Sequence, residues 1–171
     1  MKDNSTILSV VAVVAVVVVG LAIGKATSST PIDDTQNPGT KVAGTAVLQV
    51  DEPSYDFGNV SMAKGNVSRL FTLVNTSSST VAINKIFTSC MCTKANLTID
   101  TMRYGPFGMP GHGAGLAISA NLAPGESATV EAVFDPAAHG PAGVGPISRS
   151  IYLEGNGSRL AELVFKAMVT P

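Results

Sequence analysis

Tryptophan is missing from these 171 residues, and cysteine and histidine occur only twice each. Without tryptophan, the Cys…Trp…Cys core of antibody domains is excluded. Two histidines leave little for a zinc site, which wants four ligands, and a Cys-x-Cys followed by two distant histidines fits no standard zinc finger. Charge is scarce as well: 13% of residues are charged and the formal net charge is −1. No basic stripe is present, so the electrostatic footprint of a nucleic-acid binder is missing. There is no Gly-x-Ser-x-Gly elbow, phosphate loop or dinucleotide fingerprint. No nucleophile–histidine–acid set can be assembled, so the sequence predicts a protein that is not an enzyme.

What is present is organised in segments. Residues 1–6 form a short polar tail. Ile7 to Ile23 is a run of 17 residues without a charge. As a helix it would span about 25 Å at about 1.5 Å per residue, near the lower limit for crossing a bilayer. It is longer than an ordinary signal h-region, and Lys25 directly follows the small-x-small stretch Ala22-Ile23-Gly24. The expectation is therefore a transmembrane anchor over 7–24, single-pass, with the short N-terminal tail inside. The domain would lie outside the cytoplasm, periplasmic or at the cell surface. Residues 25–44 are rich in Ser, Thr, Pro, Gly and Asp and read as a flexible linker.

From residue 45 to 171 the pattern is that of strands. Val, Ile, Thr, Phe and Tyr recur in short alternating runs separated by turn residues. Phe71 and Leu73 alternate with Thr72. Val130, Ala132 and Phe134 point one way, as do Leu163, Phe165, Ala167 and Val169. Gly155-Asn156-Gly157-Ser158 reads as a hairpin turn. The apolar side slips by one residue between Ile83 and Ile86, which predicts a bulge or a strand changing faces. Five glycines and two prolines between Met102 and Gly115 predict an irregular loop there. The fold expected is all-β: an immunoglobulin-like β-sandwich of seven to nine strands, preceded by one N-terminal transmembrane helix.

The stretch Ser89-Cys90-Met91-Cys92-Thr93 holds both cysteines. Three readings stay open. A disulfide between Cys90 and Cys92 needs a tight turn at Met91, because positions i and i+2 of a strand lie at the edge of disulfide geometry. A soft-metal site would use Cys90, Cys92, Met109 and His112, with thiolate and thioether favouring copper and zinc as the other candidate. Buried thiols could instead pack where a strand crosses between sheets, with Met91 filling core space. A bridge that is easily reduced would make the pair a thiol-redox partner. His139 lies beside Gly140-Pro141 and reads as part of a surface loop. Six Asn-x-Ser/Thr triplets, at Asn4, Asn59, Asn66, Asn75, Asn96 and Asn156, matter only if the host glycosylates exported proteins.

These residues resemble an exported bacterial Ig-like family, domain of unknown function 1573, related to the ASPM–SPD-2–Hydin type of sandwich. The likeness runs over about 50–169. Phe57-Gly58 and Val60 resemble its opening strand, and Asn75 the asparagine ending its second long strand. Ser89, Cys90, Cys92 and Thr93 resemble its Ser-Cys-Gly-Cys-Thr signature, with Met91 in place of glycine. Pro124-Gly125-Glu126 and Phe134-Asp135 resemble a later turn and strand. The resemblance implies the fold and an extracytoplasmic setting, and it carries no catalytic residues. The function expected is a non-catalytic, membrane-tethered module that binds or spaces envelope components. Its partners would be the membrane and an envelope protein, with no nucleic acid.

Overall fold

The computed structural model describes residues 48–113 and 115–171. The tail, the anchor and the linker assigned to 1–44 lie outside the described residues. Among those described, no helix is long and apolar enough to cross a membrane.

Ten strands follow one another: β1 (Leu48–Val50), β2 (Ser54–Ser61), β3 (Val67–Asn75), β4 (Val81–Thr88), β5 (Thr93–Ile99), β6 (Met102–Phe107), β7 (Ala117–Leu122), β8 (Ser127–Phe134), β9 (Gly145–Gly155) and β10 (Ser158–Thr170). They form two five-stranded sheets, ordered β1-β3-β8-β5-β6 and β2-β10-β9-β4-β7. All strand ladders are antiparallel except that of β2 with β10, which run parallel.

The core forms because alternate side chains of both sheets point at one another. Phe71 and Leu73 of β3 and Val130 of β8 are buried from the first sheet, and Ile151, Leu163 and Phe165 from the second. Phe165 joins the two layers. Its ring sits 5.4 Å from Phe134 of the opposite sheet and 5.5 Å from Phe57 of its own. Such tilted and edge-on pairs add to what burial alone contributes.

The strand count exceeds the expected seven to nine because β6 lies in the stretch predicted to be irregular. Its glycine and proline are tolerated for a local reason. Among the described residues β6 is an edge strand whose ladder is with β5, so the missing N–H of Pro106 breaks no central ladder. Gly105 stands at a register shift opposite Ala95 to Leu97, with φ 118°, and a Cβ there would sit 2.9 Å from the Ala95 carbonyl oxygen. Only glycine allows so close an approach.

From β1 to β5 every connection carries the chain from one sheet to the other: 51–53, 62–66, 76–80 and 89–92. The last of these, Ser89 to Cys92, places the cysteines.

Candidate functional site

The crossing is a tight turn held by its flanks. The N–H of Thr93 donates to the carbonyl of Cys90 at 3.1 Å. The buried Thr88 hydroxyl lies 2.9 Å from the Cys90 carbonyl and 3.1 Å from that of Thr93. The Ser89 N–H donates to the Ser150 carbonyl of β9, and the Ser150 N–H donates to Ser89 Oγ, both at 2.9 Å. The Asp135 N–H donates to the Cys92 carbonyl at 2.9 Å. Both sheets therefore grip this turn.

Within it Cys90 and Cys92 are joined by a disulfide, and their Cα atoms are 5.3 Å apart. That spacing is well inside the range for a bridge, because the turn shortens what an extended strand would have left too long. Of the three readings open from sequence, the bridge is the one formed. Met91, which the buried-thiol reading alone put in core space, sits at the tip of the turn and is 43% exposed. The backbone that brings the two sulfurs together turns the intervening side chain outward.

Two side chains from distant segments meet the sulfurs. His139, in the loop after β8, places Nε2 3.1 Å from Cys90 Sγ. Arg149, on β9, aims Nε at Cys92 Sγ from 3.4 Å, while its Nη1 donates to the Ser148 carbonyl. The two sulfurs are not equivalent. Cys90 is 8% exposed and Cys92 2%. His139 lies open to solvent above the first, and Arg149 is half-buried beside the second.

Among the described residues, Cys90, Cys92 and His139 are a group of histidine and cysteine donors that could surround an ion, their ligand atoms lying within 4.8 Å of one another. His112 is not in it. It is exposed, in a turn where its N–H donates to the Met109 carbonyl at 3.2 Å. Met109 is half-buried beside Gly108, whose carbonyl accepts from Thr88 N–H at 3.1 Å. Of the expected set Cys90, Cys92, Met109 and His112, the two cysteines stand with His139, and His112 is outside that group. A bridged pair offers no thiolate to a metal. Once reduced, two thiolates and an imidazole would suit zinc or copper(I), but the guanidinium at Cys92 opposes a second cation there.

His139 and Arg149 were invisible as site residues in sequence, being 49 and 57 positions from their sulfurs. Of the Asn-x-Ser/Thr triplets, two are unfit for glycosylation in the folded domain. Asn75 is fully buried and Asn96 is 8% exposed.

No protein of curated function matches the chain. Among solved structures, a protein of unknown function from Porphyromonas gingivalis W83 superposes with a TM-score of 0.50 at 16% identity, over 74% of this chain and 50% of that one. The secreted serine protease VesC from Vibrio cholerae gives a TM-score of 0.46 at 12% identity, over 74% of this chain and 24% of that one. The ASH/PapD-like domain of human CEP192 gives 0.42 at 11% identity, over 84% and 98%. The chain thus spans half the length of the first and about a quarter of the second. At 16% identity the likeness to the first is one of fold alone. The family match is shorter than the expected 50–169: it ends after β6, so Pro124-Gly125-Glu126 and Phe134-Asp135 lie beyond it. It does contain the bridged turn: residues 48–108 match the family described as Protein of unknown function (DUF1573).

Proposed function

We propose that the protein is a non-catalytic Ig-like module, tethered to a membrane by its N-terminal apolar run and held outside the cytoplasm, where it binds or spaces other envelope components. The observation that carries this reading is in the sequence: an uncharged run from Ile7 to Ile23, followed by a stretch rich in Ser, Thr, Pro and Gly ahead of the strands. A run of that length and apolarity is suited to lipid.

Fractionation of cells making the full chain tests the tether. Retention in membranes through an alkaline wash, with release on deleting residues 7–23, is the expected result. An intact chain that stays in the soluble fraction would sink the tether. Protease added from outside should digest the sandwich in intact spheroplasts; protection there would place the domain on the wrong side. Turnover of a substrate by the purified chain would overturn the non-catalytic reading.

A further inference from the structure

We infer that the Cys90–Cys92 bridge is a thiol–disulfide exchange site, with Cys90 as the sulfur attacked by an incoming thiolate and Cys92 as the leaving group. The inference stands apart from the tethered-module reading and does not need the anchor.

Four observations converge on it. First, the bridge spans a sequence separation of 2. Closing so small a loop restrains the unfolded chain little, so stabilisation is a weak reason for the bridge. Second, the fold brings a positive charge to a sulfur. Arg149 directs Nε at Cys92 Sγ from 3.4 Å, and it has no carboxylate partner among the ion pairs of the described residues. A guanidinium gains little beside a neutral disulfide and much beside a thiolate. Third, His139 Nε2 stands 3.1 Å from the other sulfur and is open to solvent, where it can exchange a proton. Fourth, the two cysteine residues differ in exposure, 8% at Cys90 against 2% at Cys92. Cys90 is the more exposed, and Met91 beside it presents apolar surface to whatever approaches.

The chemistry closes without further reagents. A thiolate from a thiol-bearing partner attacks Cys90 Sγ. A bond forms between the two sulfurs, and the Cys90–Cys92 bond breaks. The electron pair leaves on Cys92 Sγ, beside Arg149. A second thiolate then attacks the partner's sulfur in the mixed disulfide, and Cys90 departs as a thiolate that takes its proton through His139. Two partner thiols have become one disulfide, and the protein's disulfide has become two thiols. The reverse sequence oxidises the pair again.

The test uses the full chain, oxidised and purified in detergent. Its rate of reduction is followed by alkylation and mass, with glutathione in one arm and dithiothreitol in the other. Reaction of the folded chain in either arm supports the site. A marked preference for dithiothreitol identifies a dithiol as the partner type, and similar rates identify a simple monothiol. Arg149→Gln should slow reduction about tenfold, because a leaving thiolate without its counter-charge departs more slowly, and Arg149→Lys should restore most of the rate. With oxidised glutathione, Cys92→Ser should accumulate a mixed disulfide at Cys90, and Cys90→Ser should react far more slowly. Equal rates for wild type and Arg149→Gln would overturn the inference. So would a bridge that reacts only as fast as the chain unfolds, or equal capture at the two cysteines. Tight zinc or copper(I) uptake by the reduced chain, strengthened by Arg149→Gln, would replace it with a metal site.

Discussion

The imidazole of His139 lies 3.1 Å from the sulfur of Cys90 across 49 positions of sequence. The loop after β8 makes this contact possible. Asp135 Oδ1 accepts from the Ala137 N–H at 2.9 Å, and the Gly140 N–H donates to the Ala137 carbonyl at 2.9 Å. The chain then folds back so that Gly143 backs onto His139: a Cβ built on Gly143 falls 3.2 Å from His139 Cβ.

Gly143→Ala should therefore move His139 without unfolding the domain. The neighbour must yield by a few tenths of an ångström, and the surface position limits the cost to about 1 kcal/mol. The imidazole NMR signals of His139 should shift while the urea midpoint barely changes. Unshifted signals would mean that Gly143 does not position the ring.

Removing the bridge should cost little stability. Cys90→Ala combined with Cys92→Ala is expected to lower unfolding free energy by about 2 kcal/mol, the chain-entropy value for so short a loop. Urea unfolding of the double variant checks this. A loss of about 5 kcal/mol would make the bridge a structural staple.

Asn75 should matter more than either cysteine. It is fully buried at the end of β3, and its Nδ2 donates to the carbonyls of Ser79 and Leu122, both at 2.8 Å. Its Oδ1 accepts from the Ser77 N–H at 3.0 Å and the Ser77 hydroxyl at 2.7 Å. Asn75→Ala strips the partner from the buried Leu122 carbonyl as well as from that of Ser79, and a buried carbonyl is expensive to leave bare, so a loss of about 2–4 kcal/mol is expected in chemical denaturation. A change below about 1 kcal/mol would show that water replaces the amide.

Gly155→Ala should be the harshest single methyl in the domain. Gly155 ends β9, and a Cβ there would overlap the Ala82 carbonyl oxygen of β4 and lie 2.9 Å from Leu160 Cδ1. Backbone cannot give way cheaply, so several kcal/mol should be lost. A thermal scan reads it directly. An unchanged midpoint would mean that the two strands can part at that point.

Much of this architecture was legible in the chain because β-sheets write their burial in alternation. Leu163, Phe165, Ala167 and Val169 were predicted to face one way, and all four are buried in β10. The slip after Ile83 marked a real irregularity: β4 shifts its register against β7 between Ile83 and Lys85, so Ile83 and Ile86 are both buried. β6 was hidden because glycine and proline signal irregularity, whereas at a sheet edge they cost little. His139 and Arg149 were hidden for a different reason. Each is an ordinary loop or strand residue until the topology sets it against a sulfur, and no local spacing encodes that approach. Met91 stayed open between core and turn tip because hydrophobicity alone does not say which way a turn points its tip.

The parallel pairing of β2 with β10 has a mechanical consequence. Ser54 pairs with Val164 and Ser61 with Thr170, so the early and late strands run side by side in the same direction. A pull entering at the start of β2 and leaving at the end of β10 loads that whole ladder in shear. All its hydrogen bonds then share the tension, whereas a pull across the β9–β10 hairpin would open its ladder one rung at a time. Single-molecule extension through these two attachment geometries should give the higher rupture force for the first. Equal forces would mean that some other pair of strands yields first.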